Sequence, residues 1–465
     1  MKSLHKILFA VAISFLFTSC FEDLDDKPID SVDINDFVYK AMDTYYLYKD
    51  QVPHLLEDKV SRPDYTSYLS QYTQPQDLFE TLIYNRTTVD KFSWITTDYL
   101  ALEQLFSGLS TTTGMEYGLV RYASGSDAIF GYVRYILPNT SAESAGLQRG
   151  DLFYAVNGTP LTVSNYRGLL NQYAFTLNLA AYNNNNTTDP DDDSIDPTPN
   201  TVDLSMVSYT ENPVYKTTIL QVEGENVGYL MYNGFVANFN ESLKNAFGIL
   251  KANAVQHLVI DLRYNSGGSV TTAALLGSLI NGNFSGETFS KLQYNYQLQS
   301  NNTSYTFSSQ GYSLNLNKVY VLTSKSSASA SEMVINSLKP YLTVVQVGDI
   351  TTGKSQASIT LYDSPDFGRT NADPRHTYAL QPLVAKTVNV LDEGVPPTGL
   401  VPVIEYKEQL NNLGVLGNEN EPLLAEALND IANTNKTSHS VEGKSFEAVG
   451  DSNDFIPFSK DMYID

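Results

Sequence analysis

The chain has 465 residues, enough for two or three domains that each bury a core. Lysine and arginine number 29 against 52 aspartates and glutamates, a formal net charge of −23, so a nucleic acid would be repelled except at a local basic patch. One cysteine excludes a disulfide framework, and 32 tyrosines suit an exposed bacterial surface without naming a ligand.

Met1–Lys6 is a basic opening, Ile7–Phe17 an apolar run too short to span a membrane as a mature helix, and Thr18-Ser19 precede Cys20. The pattern over residues 1–20 resembles a bacterial lipobox. That implies a lipid on Cys20 and anchoring in the cell envelope; an ordinary signal peptide with a buried cysteine is the alternative. Residues 21–33 read as a tether carrying the acidic run Glu22–Lys27. A solvated linker is the plain reading of such a run. Its resemblance to surface-export signals of Bacteroidetes lipoproteins implies an outer-membrane protein facing outward.

Residues 34–92 are expected to form a small helical domain: in Asp36–Leu47, Phe37, Ala41 and Tyr45 recur at helical spacing, the mark of a core stripe. Residues 93–212 are strand-like, with Tyr117–Val120 and Ile129–Leu137 followed by Ala145-Gly146-Leu147, Gly150-Asp151 and Val156-Asn157-Gly158. This series resembles a PDZ domain, which implies a groove that takes an extended peptide by strand addition. Asn183–Thr201 is too polar to bury anything and reads as a disordered insertion. It lacks the spaced ligands of an EF-hand loop, so no metal is assigned to it.

From 213 to 432 the chain alternates strand and helix patterns: Val227–Tyr232, Glu241–Lys251, Val255–Leu262, Thr271–Ile280, Lys318–Thr323, Met333–Leu338 and Leu342–Val347, with a closing helix over Glu421–Ile431. Such alternation predicts βαβ units and a mostly parallel sheet. Two turns stand out. Val255–Leu262 runs into Arg263-Tyr264-Asn265-Ser266-Gly267-Gly268, where paired glycines can bring bare amides to a ligand. Lys318–Thr323 runs into Ser327-Ala328-Ser329-Ala330-Ser331-Glu332 ahead of the next helix. A Ser/Ala run there can simply cap the helix, but Ser329 at a strand-to-helix turn would also be exposed, with helix-end amides favouring developing negative charge. Lys354 follows Ser329 by 25 positions, in Thr352-Gly353-Lys354. A serine needs a neighbouring base to become a nucleophile, and a neutral lysine can serve.

Asp261-Leu262-Arg263-x-Asn265-x-Gly267-Gly268, then Ser327–Glu332, then Gly353-Lys354, in this order, resemble the tail-specific, C-terminal processing serine peptidases. The resemblance implies an α/β catalytic core related to crotonase and an acyl-enzyme mechanism on extended or C-terminal polypeptide segments. It makes Ser329 the nucleophile and Lys354 the general base, with backbone amides of Gly267, Gly268 and Ala330 as oxyanion donors, and it calls for no cofactor. The chain departs from the family pattern where a glutamine usually stands four residues after the lysine. Here that position is Ser358, and Gln356 is the nearest glutamine, so these two are the candidates to orient the lysine. Lys339-Pro340 replaces a common Gln-Asp pair. A non-catalytic binding lipoprotein on the same scaffold is the alternative function. His5 falls in the targeting segment, and His54, His257, His376 and His439 show no metal-ligand spacing, so no metal is assigned; a Ser-His triad would need one of them folded against Ser329. Residues 433–465 form a polar tail with no assigned order.

Overall fold

The computed structural model describes residues 29–433, 443–456 and 459–464. Cys20, the signal-like segment and the Glu22–Lys27 run lie outside them, as do His5 and His439. No helix among the described residues is long and apolar enough to cross a membrane.

Helix α1 (Ser31–Tyr45) is capped by the Asp30 carboxylate, which accepts from the amides of Val32 and Asp33. Its stripe Ile34, Phe37, Val38, Ala41 and Met42 is buried and packs on Leu78 and Phe79 of α2 (Pro75–Thr81) in a hydrophobic cluster that also takes in Leu361 and Leu380.

An antiparallel sheet follows, in the order β1 (Met115–Arg121), β2 (Ile129–Ile136), β3 (Leu152–Val156), β4 (Ala174–Asn183) and β5 (Ser194–Ser205), with helix α3 (Tyr166–Leu170) between β3 and β4. Leu119, Val133, Phe153, Leu177 and Leu204 alternate inward to form its core. The disordered insertion expected over Asn183–Thr201 is corrected here. Strands β4 and β5 pair from Ala174 opposite Ser205 to Asn183 opposite Ser194, and only 184–193 turn between them. The polar side chains face solvent or one another, as where Asn183 donates to Asp196 at 2.8 Å. Composition reports how little a segment can bury, whereas the ladder needs only backbone amides and carbonyls.

The larger core is a mixed α/β unit. Strands β6 (Val214–Val222) and β7 (Glu225–Tyr232) form a hairpin, then α4 (Asn240–Ala252) leads to β8 (His257–Asp261). The short β9 (Gly268–Ser269) opens α5 (Val270–Ile280), and β10 (Thr288–Tyr294) and β11 (Thr303–Thr306) form a second hairpin. Next come β12 (Lys318–Thr323), α6 (Ala330–Leu338), β13 (Thr343–Gly348), β14 (Gln356–Ser358), β15 (Leu383–Val388), β16 (Ile404–Glu405) and α7 (Pro422–Ile431). One sheet has the order β6-β7-β8-β12-β13-β16, parallel from β7 onward. Leu258, Ile260, Val319 and Val321 pack under α4, α5 and α6, and Val259, Tyr320 and Leu322 on the other face under α7. Burial on both faces is why these strands read as unbroken apolar runs.

The tail is ordered where it is described. Strand β17 (Ala448–Asp451) adds antiparallel to β1, and β18 (Met462–Tyr463) inserts parallel between β9 and β14 in the second sheet, β9-β18-β14-β15-β10-β11.

Candidate active site

In a parallel sheet the loops leaving the carboxyl ends of neighbouring strands converge. Strands β8, β12 and β13 are consecutive neighbours, so the loops carrying Gly267-Gly268, Ser329 and Lys354 meet above one edge of the sheet.

Ser329 precedes α6 with φ 64° and ψ −116°, a conformation that costs a non-glycine residue about 1–3 kcal/mol unless its surroundings enforce it. They do. Its amide donates to Glu332 Oε2 at 2.9 Å. On either side, Ser327 Oγ donates to the Leu262 carbonyl at 2.8 Å and Ser331 Oγ to the Asn265 carbonyl at 2.9 Å, clamping the turn to the loop after β8. Both flanking hydroxyls are therefore committed to the backbone, while Ser329 Oγ is buried with no hydrogen-bond partner among the described residues. The expectation of an exposed Ser329 is corrected: its exposure is 0%. Gly267 packs against it, with the Asp461 carbonyl also at Gly267: a Cβ there would fall 2.7 Å from Ser329 Cβ and 2.7 Å from the Asp461 carbonyl oxygen.

The expected oxyanion donors are differently placed. Gly267 and Gly268 have φ of 128° and 129°, open to glycine alone. The Gly268 amide points into the site and donates to the Asp461 carbonyl at 2.8 Å. The Gly267 amide turns away to Asn265 Oδ1 at 3.0 Å. Ala330 is the first residue of α6, so its amide belongs to the set a helix cannot pair internally.

Lys354 is fully buried. Its Nζ donates to the Lys460 carbonyl at 2.9 Å and to Asp461 Oδ1, and lies 4.9 Å from the centre of the Phe92 ring. Neither candidate orienting residue contacts it in the described hydrogen bonds. Ser358 Oγ donates to the Met462 carbonyl at 3.3 Å, and Gln356 meets Tyr48. Asp461, not either of these two, is the side chain that holds Lys354 Nζ. Burial pushes its carboxyl above the usual range, with Lys354 pulling the other way.

Three further residues that build the site escape a reading of the sequence. Glu332 accepts from the amides of Ser329, Gly353 and Lys354 (2.9, 2.7 and 2.9 Å) and from the Thr351 hydroxyl at 2.5 Å, binding the serine turn to the lysine loop. Burial raises its carboxyl while those donors oppose the rise. The Ser-x-x-Glu spacing of a capping box is the signal that points to it. Arg263 is buried among Asp261, Glu408 and Glu421, the last of which caps α7 through the Leu424 amide at 2.8 Å. Asp461 is the third, and it carries no local signal.

Each described histidine is engaged elsewhere: His54 with Tyr68, His257 with Glu225 and His376 with Asp363. Asp363, Asp373 and His376 lie together, but Arg375 holds Asp373 at 2.5 Å.

The family model for peptidase family S41 matches residues 226–366, and that for the peptidase S41 N-terminal domain matches residues 33–94. A carboxyl-terminal-processing protease of a Picosynechococcus species is 26% identical over 237 residues, 50% of this chain and 52% of that protein. A probable CtpA-like serine protease of Staphylococcus epidermidis is 31% identical over 137 residues, 29% of this chain and 26% of that protein. The chain thus spans about half the length of the first relative and about a quarter of the second. Among solved structures, one assigned to the S41 proteases of Bacteroides fragilis has a TM-score of 0.68 at 27% identity, covering 85% of this chain and 97% of that one.

Proposed function

This chain belongs to peptidase family S41, and from that premise we propose that it is a serine endopeptidase cutting extended or C-terminal polypeptide segments with Ser329 as nucleophile and Lys354 as base. The observation that carries the reading is the strained Ser329 turn, its hydroxyl left unpaired while Ser327 and Ser331 are both spent on the backbone. In the reaction Ser329 Oγ attacks the scissile carbonyl as Lys354 Nζ takes its proton. The carbonyl oxygen, now negative, is met by the Gly268 amide and the Ala330 amide at the helix start. The same nitrogen then returns the proton to the leaving amine, and water releases the acyl group by the reverse path.

Finer assignments belong to the same proposal. The α/β core is read as crotonase-related, spanning residues 213–432. Residues 93–212 are read as a PDZ-like unit that presents a substrate by strand addition, supported by β1 accepting an added strand at its edge. Residues 34–92 are read as a helical domain. Cys20 is read as a lipid anchor holding the protein in the cell envelope, and Cys20→Ala should move it from the membrane to the soluble fraction.

A fluorophosphonate probe and an unstructured polypeptide test the central reading together. Ser329 should be labelled, and Ser329→Ala should lose labelling and hydrolysis with its circular dichroism unchanged. Retained hydrolysis in Ser329→Ala would discard the nucleophile. Absence of labelling and hydrolysis in every form would favour the non-catalytic binding protein to which Ser358 at the family's glutamine position points.

A further inference from the structure

Residues 459–464 lie in the site. Their backbone follows the path of an added strand, Met462 opposite Gly268 and Tyr463 opposite both Ser269 and Ser358, and the Ile464 amide donates to the Ser358 carbonyl at 3.0 Å. The Asp461 carbonyl accepts from the Gly268 amide at 2.8 Å, the donor a scissile carbonyl would need. The Asp461 carboxylate and the Lys460 carbonyl take the hydrogens of Lys354 Nζ. Two clefts flank this segment, one edged by Phe106, Pro213 and Phe235, the other by Tyr48, Arg86 and Gln356, and both end on Ser459 and Asp461. The segment therefore divides what would otherwise be one groove across the site.

Upstream, the same tail adds a strand to the edge of the β1–β5 sheet. Strand β17 lies along β1, and Asp451 binds Arg134 at 2.8 Å and Ser326, three residues before Ser329, at 3.2 Å. The ladder at the site is short, two residues on β9 and one on β14, the kind of pairing that opens locally at low free energy.

We propose that residues 459–464 are an intramolecular inhibitor of this peptidase, seated where a substrate polypeptide would lie, with Asp461 withholding Lys354 from Ser329. The inference rests on the peptidase reading above. It accounts for a bound strand that is not a substrate: its carbonyl has the donor, but its side chain occupies the base. A substrate segment without an acidic residue at that position would displace it and free the lysine.

The test compares the full chain, Asp461→Asn, which keeps the strand and removes the anionic partner of Lys354, and a form ending at residue 458. Met462 is buried in the core, so the shortened form can lose stability, and Asp461→Asn, checked by near-ultraviolet circular dichroism, keeps the test decisive. Fluorophosphonate labelling of Ser329 and polypeptide hydrolysis should rise about tenfold or more in both variants, the size expected when about 1.4 kcal/mol of binding is lost. Synthetic peptide of sequence 459–465 should return the shortened form to the rate of the full chain, and its Asp461→Asn counterpart should do so only at higher concentration. Equal rates in the full chain and in folded Asp461→Asn would overturn the proposal. A second arm avoids catalysis by placing Ser329→Ala in both the full and shortened forms and measuring anisotropy of the fluorescent peptide. Capture by the shortened form alone supports the seat, and equal capture by both overturns it. Capture by the shortened form with no hydrolysis in any form would support the seat and overturn the peptidase reading instead.

Discussion

At the scale of single residues, strain and hydrogen bonding separate the three alternate serines of Ser327–Ser331. Ser329 holds φ 64° with its hydroxyl unpaired among the described residues, whereas Ser327 and Ser331 each donate theirs to a buried carbonyl. Replacing Ser327 or Ser331 by alanine should therefore cost only about 1 kcal/mol of stability, the loss of one buried hydrogen bond, because the Leu262 carbonyl keeps the Asn265 amide and the Asn265 carbonyl keeps the Ala328 amide, while Ser329 labelling survives. Ser329→Gly should abolish hydrolysis yet unfold at a higher denaturant concentration than Ser329→Ala, since glycine relieves about 1 kcal/mol of backbone strain. Equal midpoints would show that the turn is unstrained. Lys354→Arg should be inactive because a guanidinium keeps its proton. Substituting His54, His257 or His376 should leave hydrolysis unchanged, and a loss on changing any of them without unfolding would transfer the base role to that histidine.

At the scale of elements, the buried strands and amphipathic helices of the core were legible because their signal is local. Lys318–Thr323 is a strand with the bounds read from its apolar run, and α4 presents Leu243, Phe247 and Leu250 on one face as their spacing requires. What holds the elements together was not legible, because those contacts join residues far apart in the chain. Glu332 binds the start of α6 to the loop before β14, and Glu332→Ala should loosen both, slowing hydrolysis and destabilising the fold by about 3 kcal/mol. Arg263 binds the end of β8 to the cap of α7 through Glu421, and to Glu408. Burial favours a neutral Glu408, but Arg149 and Arg263 beside it win and lower its carboxyl to about 2. A carboxyl lowered on folding contributes stability that is present above its unfolded value, near 4.5, and lost as the pH falls toward 2. Glu408→Gln should thus weaken the fold by about 3 kcal/mol at pH 7 and progressively less below pH 4.5. A difference that does not shrink with acid would assign the loss to packing.

At the scale of the molecule, the tail stitches the β1–β5 sheet to the α/β core, and its order could not be read because a strand of two residues carries no periodicity. Under it, at the junction of sheet and core, stand two carboxyls with raised values. Burial, then the negative charges of Glu211 and Asp451, push Glu116 up to about 8, against the Ser452 hydroxyl that donates to it at 2.5 Å. Burial raises Glu211 to about 7, against a hydrogen bond from Asn233. Both groups hold protons more tightly in the folded state, so their contribution is complete below about pH 4.5 and is lost as the pH rises through 7 and 8. Each can lower stability by at most about 1.4 kcal/mol per pH unit across that window. Glu408 acts only at the acid end, so the two limbs are separable. Denaturant unfolding at pH 5.5, 7 and 9 should show wild type weakening steadily toward pH 9. Glu116→Gln, neutral throughout and still able to bond Ser452, should weaken much less. If the two curves ran parallel from pH 5.5 to 9, Glu116 would be ionised in the folded protein, and the junction would be held by the Arg134–Asp451 pair instead.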